Sequence, residues 1–121
     1  MITQKEAYKF VGEPFVQFTE DGKAWGCLAP YYQIHPEFKD FFMLEDTQNF
    51  LEHAKKRFKE ITLEEVQYGD FIAVLMPLGL WHIMIYIGDG RYMHCTKATG
   101  TVIEKLPLMY KNRIKGVFRW A

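Results

Sequence analysis

Residues 81–87, Trp-His-Ile-Met-Ile-Tyr-Ile, alternate between two sets of side chains and run directly into Gly88-Asp89-Gly90 and a second short run, Arg91-Tyr92-Met93-His94-Cys95. A strict period of two predicts a strand with Trp81, Ile83, Ile85 and Ile87 on one face and His82, Met84 and Tyr86 on the other. Glycines on both sides of Asp89 then predict a tight antiparallel hairpin. The rest of the chain has to fold around that unit.

Loop length decides whether the two histidines of the hairpin can meet. If Asp89 and Gly90 alone form the loop, His94 falls opposite Ile85 and faces away from His82. If the loop is Gly88-Asp89-Gly90, with Gly90 left-handed in a bulged turn, His94 falls opposite Met84. His82 and His94 then lie diagonally on one face, roughly 7–8 Å apart at the backbone. That separation suits a general base and a group that orients it. Spacing alone also fits a pair of structural histidines, since a lone strand histidine is more often structural than functional.

Upstream, Thr3-Gln4-Lys5-Glu6 has the form of a capping box and predicts a helix from Gln4 to Val11. Gly12 fits the left-handed position after its end, and Pro14 prevents it from resuming. A polar loop, residues 19–23, leads to a compact apolar segment, Ala24 to Tyr32, read as a second helix that Pro30 shortens, kinks or delays. From Asp46 to Ile61, apolar Phe50, Leu51, Ala54, Phe58 and Ile61 recur at helical spacing, and Lys55, Lys56, Arg57 and Lys59 read as the solvated side of that helix. Beyond Tyr68, strands are expected at Phe71–Met76, Trp81–Ile87, Arg91–Thr96, Thr101–Glu104 and Lys115–Trp120, with a helical turn within Pro107–Asn112. Helices first and antiparallel strands after them give an α+β fold, the early helices covering one face of the sheet.

At 121 residues the expectation is one domain spanning 1–121. Ten Phe, seven Tyr and three Trp supply its core. The formal charge is zero, so no overall field favours nucleic acid or an anionic membrane. The most apolar stretch, Phe71 to Ile87, is interrupted by Pro77, Gly79 and His82 and falls short of the ~20 residues a membrane helix needs. No membrane insertion is expected. The first residues lack the apolar core of a signal peptide, so export by that route is not expected. Two cysteines, Cys27 and Cys95, make neither a disulfide framework nor a metal site by spacing. No metal and no cofactor is implied.

Gly69-Asp70-Phe71-Ile72 followed by the run from His82 to His94 resembles the Gly-Asp strand and histidine strand of the NlpC-type cell-wall cysteine peptidases, which have a papain-like fold. The segments Val11-Gly12-Glu13-Pro14-Phe15 and Tyr110 to Arg119 resemble the branch carried on bacteriophage tails, so the resemblance covers nearly the whole chain. It implies that His82 is the general base and His94 its orienting residue. The family's remaining motif, Asp-Cys-x-Gly followed by apolar residues and a pair of aromatics, matches Lys23-Ala24-Trp25-Gly26-Cys27-Leu28-Ala29-Pro30-Tyr31-Tyr32. Anchored on Trp25-Gly26 and Tyr31-Tyr32, the nucleophile position falls on Ala24, whose methyl group cannot attack a carbonyl. Trp25 and Tyr86 are then the expected substrate-binding residues and a peptidoglycan stem peptide the expected partner. Other tail proteins are further candidate partners. The implied location is the phage tail, or the host cytoplasm before assembly, with action at the bacterial wall.

Several readings stay open at this level. Lys23, Cys27 and Pro30 favour natural drift away from catalysis, whereas intact His82, His94 and Trp25-Gly26 favour a working enzyme disarmed at position 24. A late helix start would let Cys27 serve as the nucleophile. A structural tail-tip or adaptor protein would keep the fold without chemistry. A metal site of His82, His94 and Cys95 is disfavoured because Cys95 alternates to the face opposite His94. Asp70 reads as a turn or capping residue, and His35 and His53 as structural or exposed.

Overall fold

A computed structural model describes residues 3–12, 34–35, 50–79, 81–96 and 98–120. The Thr3 hydroxyl accepts from the Glu6 amide at 3.2 Å and the Glu6 carboxylate accepts in return from the Thr3 amide, so the expected capping box starts helix α1, Gln4–Ala7. The helix is shorter than the sequence pattern suggests. It tightens into a 3-10 turn over Tyr8–Phe10, and Gly12, at φ +94°, turns the chain so that its amide donates to the Thr101 carbonyl.

Helix α2 spans Phe50–Arg57 and ends four residues before the expected Ile61. Phe58–Glu60 form strand β1, aligned with Phe118 to Trp120. Residues three apart share a side of a helix but sit on opposite faces of a strand. Phe58 indeed packs in the core on the α2 side, edge-on to Phe71 at 5.1 Å, whereas Ile61 packs on the other face. Edge pairing overrides a helical period that both residues satisfy.

The remaining strands fall close to expectation: β2 Phe71–Leu75, β3 Trp81–Gly88, β4 Arg91–Thr96, β5 Gly100–Lys105 and β6 Ile114–Trp120. A short helix, α3, occupies Leu108–Lys111. The six strands of the described residues make one antiparallel sheet in the order β1-β6-β2-β3-β4-β5. Four strands run as a meander, and β6 returns beside β2. The fold is α+β, as the order of elements predicts.

Each face of the sheet carries its own core. Ala7 of α1 and Ala54 of α2 pack with Ile34, Phe71, Ile83, Ile85, Ile87, Met93 and Phe118, so the described early helices cover one face as expected. On the other face Ile72, Val74, Met84, Tyr92 and Val117 are covered by side chains of the connecting segments, among them Leu63, Val66, Leu106 and Tyr110. His82 and His94 belong to this second face by alternation. The segment expected to form a second helix, Ala24 to Tyr32, lies outside the described residues.

Candidate functional site

The β3–β4 hairpin combines both loop readings considered above. Asp89 and Gly90 have φ of +55° and +74°, as a two-residue type I′ turn requires, and Gly88 pairs with Arg91 across it. Left uncorrected, that register would send His94 to the wrong face. A register shift between Tyr86 and Gly88, where Gly88 adopts φ +104°, restores parity, so Tyr86 pairs with Tyr92 and Ile85 with Met93. The expected bulge is therefore present, but it sits at the end of β3 rather than at Gly90.

In consequence the rings meet. His82 Nε2 lies 3.0 Å from His94 Nδ1, with the ring planes perpendicular and the centroids 5.1 Å apart. Both residues are buried, at 8% and 2% exposure. Burial, and secondarily the charge His94 would carry, push the His82 pKa down to about 4. Burial also lowers that of His94, opposed by its hydrogen bond and attraction to Glu104. Both rings are thus neutral near pH 7, the state in which an imidazole can take a proton.

Two neighbours escaped the sequence reading. Tyr110 of α3 stacks on His82 at 5.2 Å and meets His94 edge-on at 5.5 Å. Glu104 Oε2 lies 3.1 Å from His94 Nε2. A clue to Glu104 was available in alternation: it pairs with Tyr92 and so shares the face of His94 one pair along. Nothing in the sequence indicates which way a four-residue helix turns its one tyrosine.

Tyr86 shares the face of His82, but its hydroxyl accepts from the Gly90 amide at 3.1 Å and its ring meets Tyr92 edge-on at 5.2 Å. The side chain braces the hairpin turn. Asp70 caps the turn before β2, accepting from the Gln67 amide at 2.8 Å, and also accepts from Nε and Nη2 of Arg119 on β6. His35 is buried and donates through Nε2 to the Gly69 carbonyl at 2.8 Å. Cys95 is buried with its thiol pKa raised by burial, an inert setting. Among the described residues no group of three ligating side chains could hold a metal ion, and no helix is long and apolar enough to cross a membrane. Ala24, Trp25 and Cys27 lie outside the described residues.

No protein-family model matches the sequence, and no curated protein matches it. Solved structures do. An NlpC/P60 family protein from Bacillus cereus ATCC 10987 aligns at a TM-score of 0.66 and 20% identity over 96% of this chain. A protein similar to lipoprotein of the NLP/P60 family, from Staphylococcus aureus subsp. aureus Mu50, aligns at a TM-score of 0.62 and 19% identity, again over 96% of the chain. This chain spans 38% and 39% of their lengths. It shares the fold of these proteins.

Proposed function

We propose that this chain is a cysteine-peptidase scaffold of the NlpC/P60 type, shaped for a peptidoglycan stem peptide, in which Ala24 occupies the nucleophile position. One observation carries the reading: two buried imidazoles, Nε2 to Nδ1 at 3.0 Å, on a sheet of the fold shared with NlpC/P60 proteins. In an enzyme built this way a cysteine thiol passes its proton to the first imidazole. The thiolate then attacks the peptide carbonyl, and the imidazolium protonates the departing amine. Water, deprotonated by the same ring, finally releases the acyl group. His82 takes the role of that ring and His94 orients it.

With alanine at position 24 the sequence cannot begin, and loss of a nucleophile from a constellation that acts as a unit costs on the order of a millionfold in rate. Binding of the stem peptide is the function that survives, with Trp25 and Tyr86 as its proposed contact residues. The likeness of residues 11–15 and 110–119 to the phage-tail branch supports assembly with tail proteins, a place in the virion tail and action at the host wall. The test is to restore the thiol. Ala24→Cys is expected to cleave a purified stem peptide, and the double variant with His82→Ala is expected to lose that cleavage. A folded Ala24→Cys protein without cleavage would overturn the peptidase reading and leave a structural tail role.

A further inference from the structure

We propose that Glu104 is a positioning residue that fixes where the protons sit in the histidine pair, so that His82 presents an unprotonated Nδ1. The inference rests on the reading of His82 as base and His94 as its orienting group, and it assigns a third residue to that device.

The argument follows the hydrogen bonds one by one. An ionised carboxylate can only accept, so across the 3.1 Å contact the proton belongs to His94 Nε2. His94 is buried and its pKa lowered, so its ring is neutral near pH 7 and carries a single N–H. With that proton on Nε2, Nδ1 is bare. It lies 3.0 Å from His82 Nε2 and must accept there. His82 therefore keeps its own proton on Nε2, and its lone pair is left on Nδ1. The direction of the whole chain is set from its Glu104 end.

Reversing the order would place two lone pairs face to face at the carboxylate, inside a site only 3% exposed on the His94 side. An unmet buried acceptor of this kind disfavours the reversed arrangement roughly ten- to a hundredfold. Without Glu104 nothing else among the described residues distinguishes the two nitrogens of His94, because the remaining neighbour, Tyr110, meets it through ring contacts. The Glu104 side chain is itself 44% exposed, where a hydrogen bond to a neutral ring adds only modestly to stability. Its contribution is direction.

The test uses the chain as it stands, labelled with nitrogen-15, and reads the ring nitrogens by long-range proton–nitrogen correlation near pH 7.5. His82 and His94 are both expected to show a protonated Nε2 and a bare Nδ1. In Glu104→Leu, with the fold verified by the backbone amide spectrum, the Nδ1 signals of both rings are expected to move toward the average of the two tautomers. A proton on Nδ1 of either ring in the unsubstituted protein would overturn the proposal. So would a folded Glu104→Leu protein whose ring signals do not move. If leucine prevents folding, the unsubstituted spectrum decides alone. The measurement needs neither thiol nor substrate, so its outcome is independent of whether Ala24→Cys cleaves a peptide.

Discussion

The ring of Tyr110 lies nearly parallel over that of His82, centroids 5.2 Å apart and planes inclined by 23°. Tyr110 belongs to a four-residue helix whose other apolar side chains, Leu108 and Met109, are 70% and 57% exposed. That helix turns one residue inward, and the residue covers the candidate base. Because burial is the first cause of the low His82 pKa, Tyr110→Ala is expected to raise it from about 4 toward the ordinary value, by about a unit. A titration of the His82 ring protons by NMR reads this directly. A midpoint that stays near 4 would mean that other groups exclude the water.

Acid should weaken the fold through the buried histidine pair. Between pH 6.5 and about 4 the unfolded chain binds a proton at His82 that the folded chain refuses, so stability rises with pH in this window and falls as acid is added. At about 1.36 kcal/mol per unit, lowering the pH from 6.5 to 5 removes about 2 kcal/mol through His82, and His94 acts in the same direction. The stability is fully present above pH 6.5. Urea unfolding at pH 7 and pH 5 should show the loss in the parent and a smaller one in His82→Gln. Equal losses would assign the acid sensitivity to other groups.

What the sequence made legible was periodicity. The alternation of residues 81–87, the capping box at Thr3 and the strands after Tyr68 all lie where local pattern places them, because each signal is short-range. Two features were not fixed by local pattern. Phe58 obeys a helical period and still joins the sheet, because Phe118 to Trp120 offer it an open edge. Histidine parity was legible only as a fork, since Asp89-Gly90 predicts the turn while the compensating bulge depends on Gly88 taking a positive φ. Glu104 and Tyr110 were missed for a related reason. Glu104 reaches His94 through the pairing of β4 with β5, and Tyr110 through the helix that folds over the sheet.

The Asp70–Arg119 pair should hold the sheet's centre to its returning strand. The Asp70 side chain is 5% exposed and that of Arg119 29%, with Nη2 to Oδ2 at 2.8 Å and the same Nη2 reaching the Glu65 carbonyl. Asp70→Ala strands a guanidinium and the Gln67 amide together, a loss of about 2–4 kcal/mol after allowance for the exposure of Arg119. Arg119→Lys keeps the charge but cannot donate through two nitrogens, and about 1–2 kcal/mol is expected. Urea midpoints measure both. A lysine variant as stable as the parent would show that charge, not the planar fork, is what matters.

Gly88 should be the least replaceable residue of the hairpin, because its φ of +104° maintains the bulge that turns His94 toward His82. An added Cβ would come within 2.8 Å of Gln4 Nε2, the far end of a flexible side chain that can yield. Backbone strain therefore dominates, and Gly88→Ala should cost about 1–2 kcal/mol. The chain could relieve that strain by shedding the bulge, which would shift the return strand by one residue and send His94 to the other face. Gly90 provides the control. At φ +74°, with nothing within 4 Å of an added Cβ, it should accept asparagine for a few tenths of a kcal/mol. Thermal unfolding ranks the two variants, and the His82 pKa reports the contact between rings: in Gly88→Ala it should rise if His94 has turned away, and in Gly90→Asn it should stay near 4. Equal tolerance at both positions would show that the ring contact does not depend on the bulge.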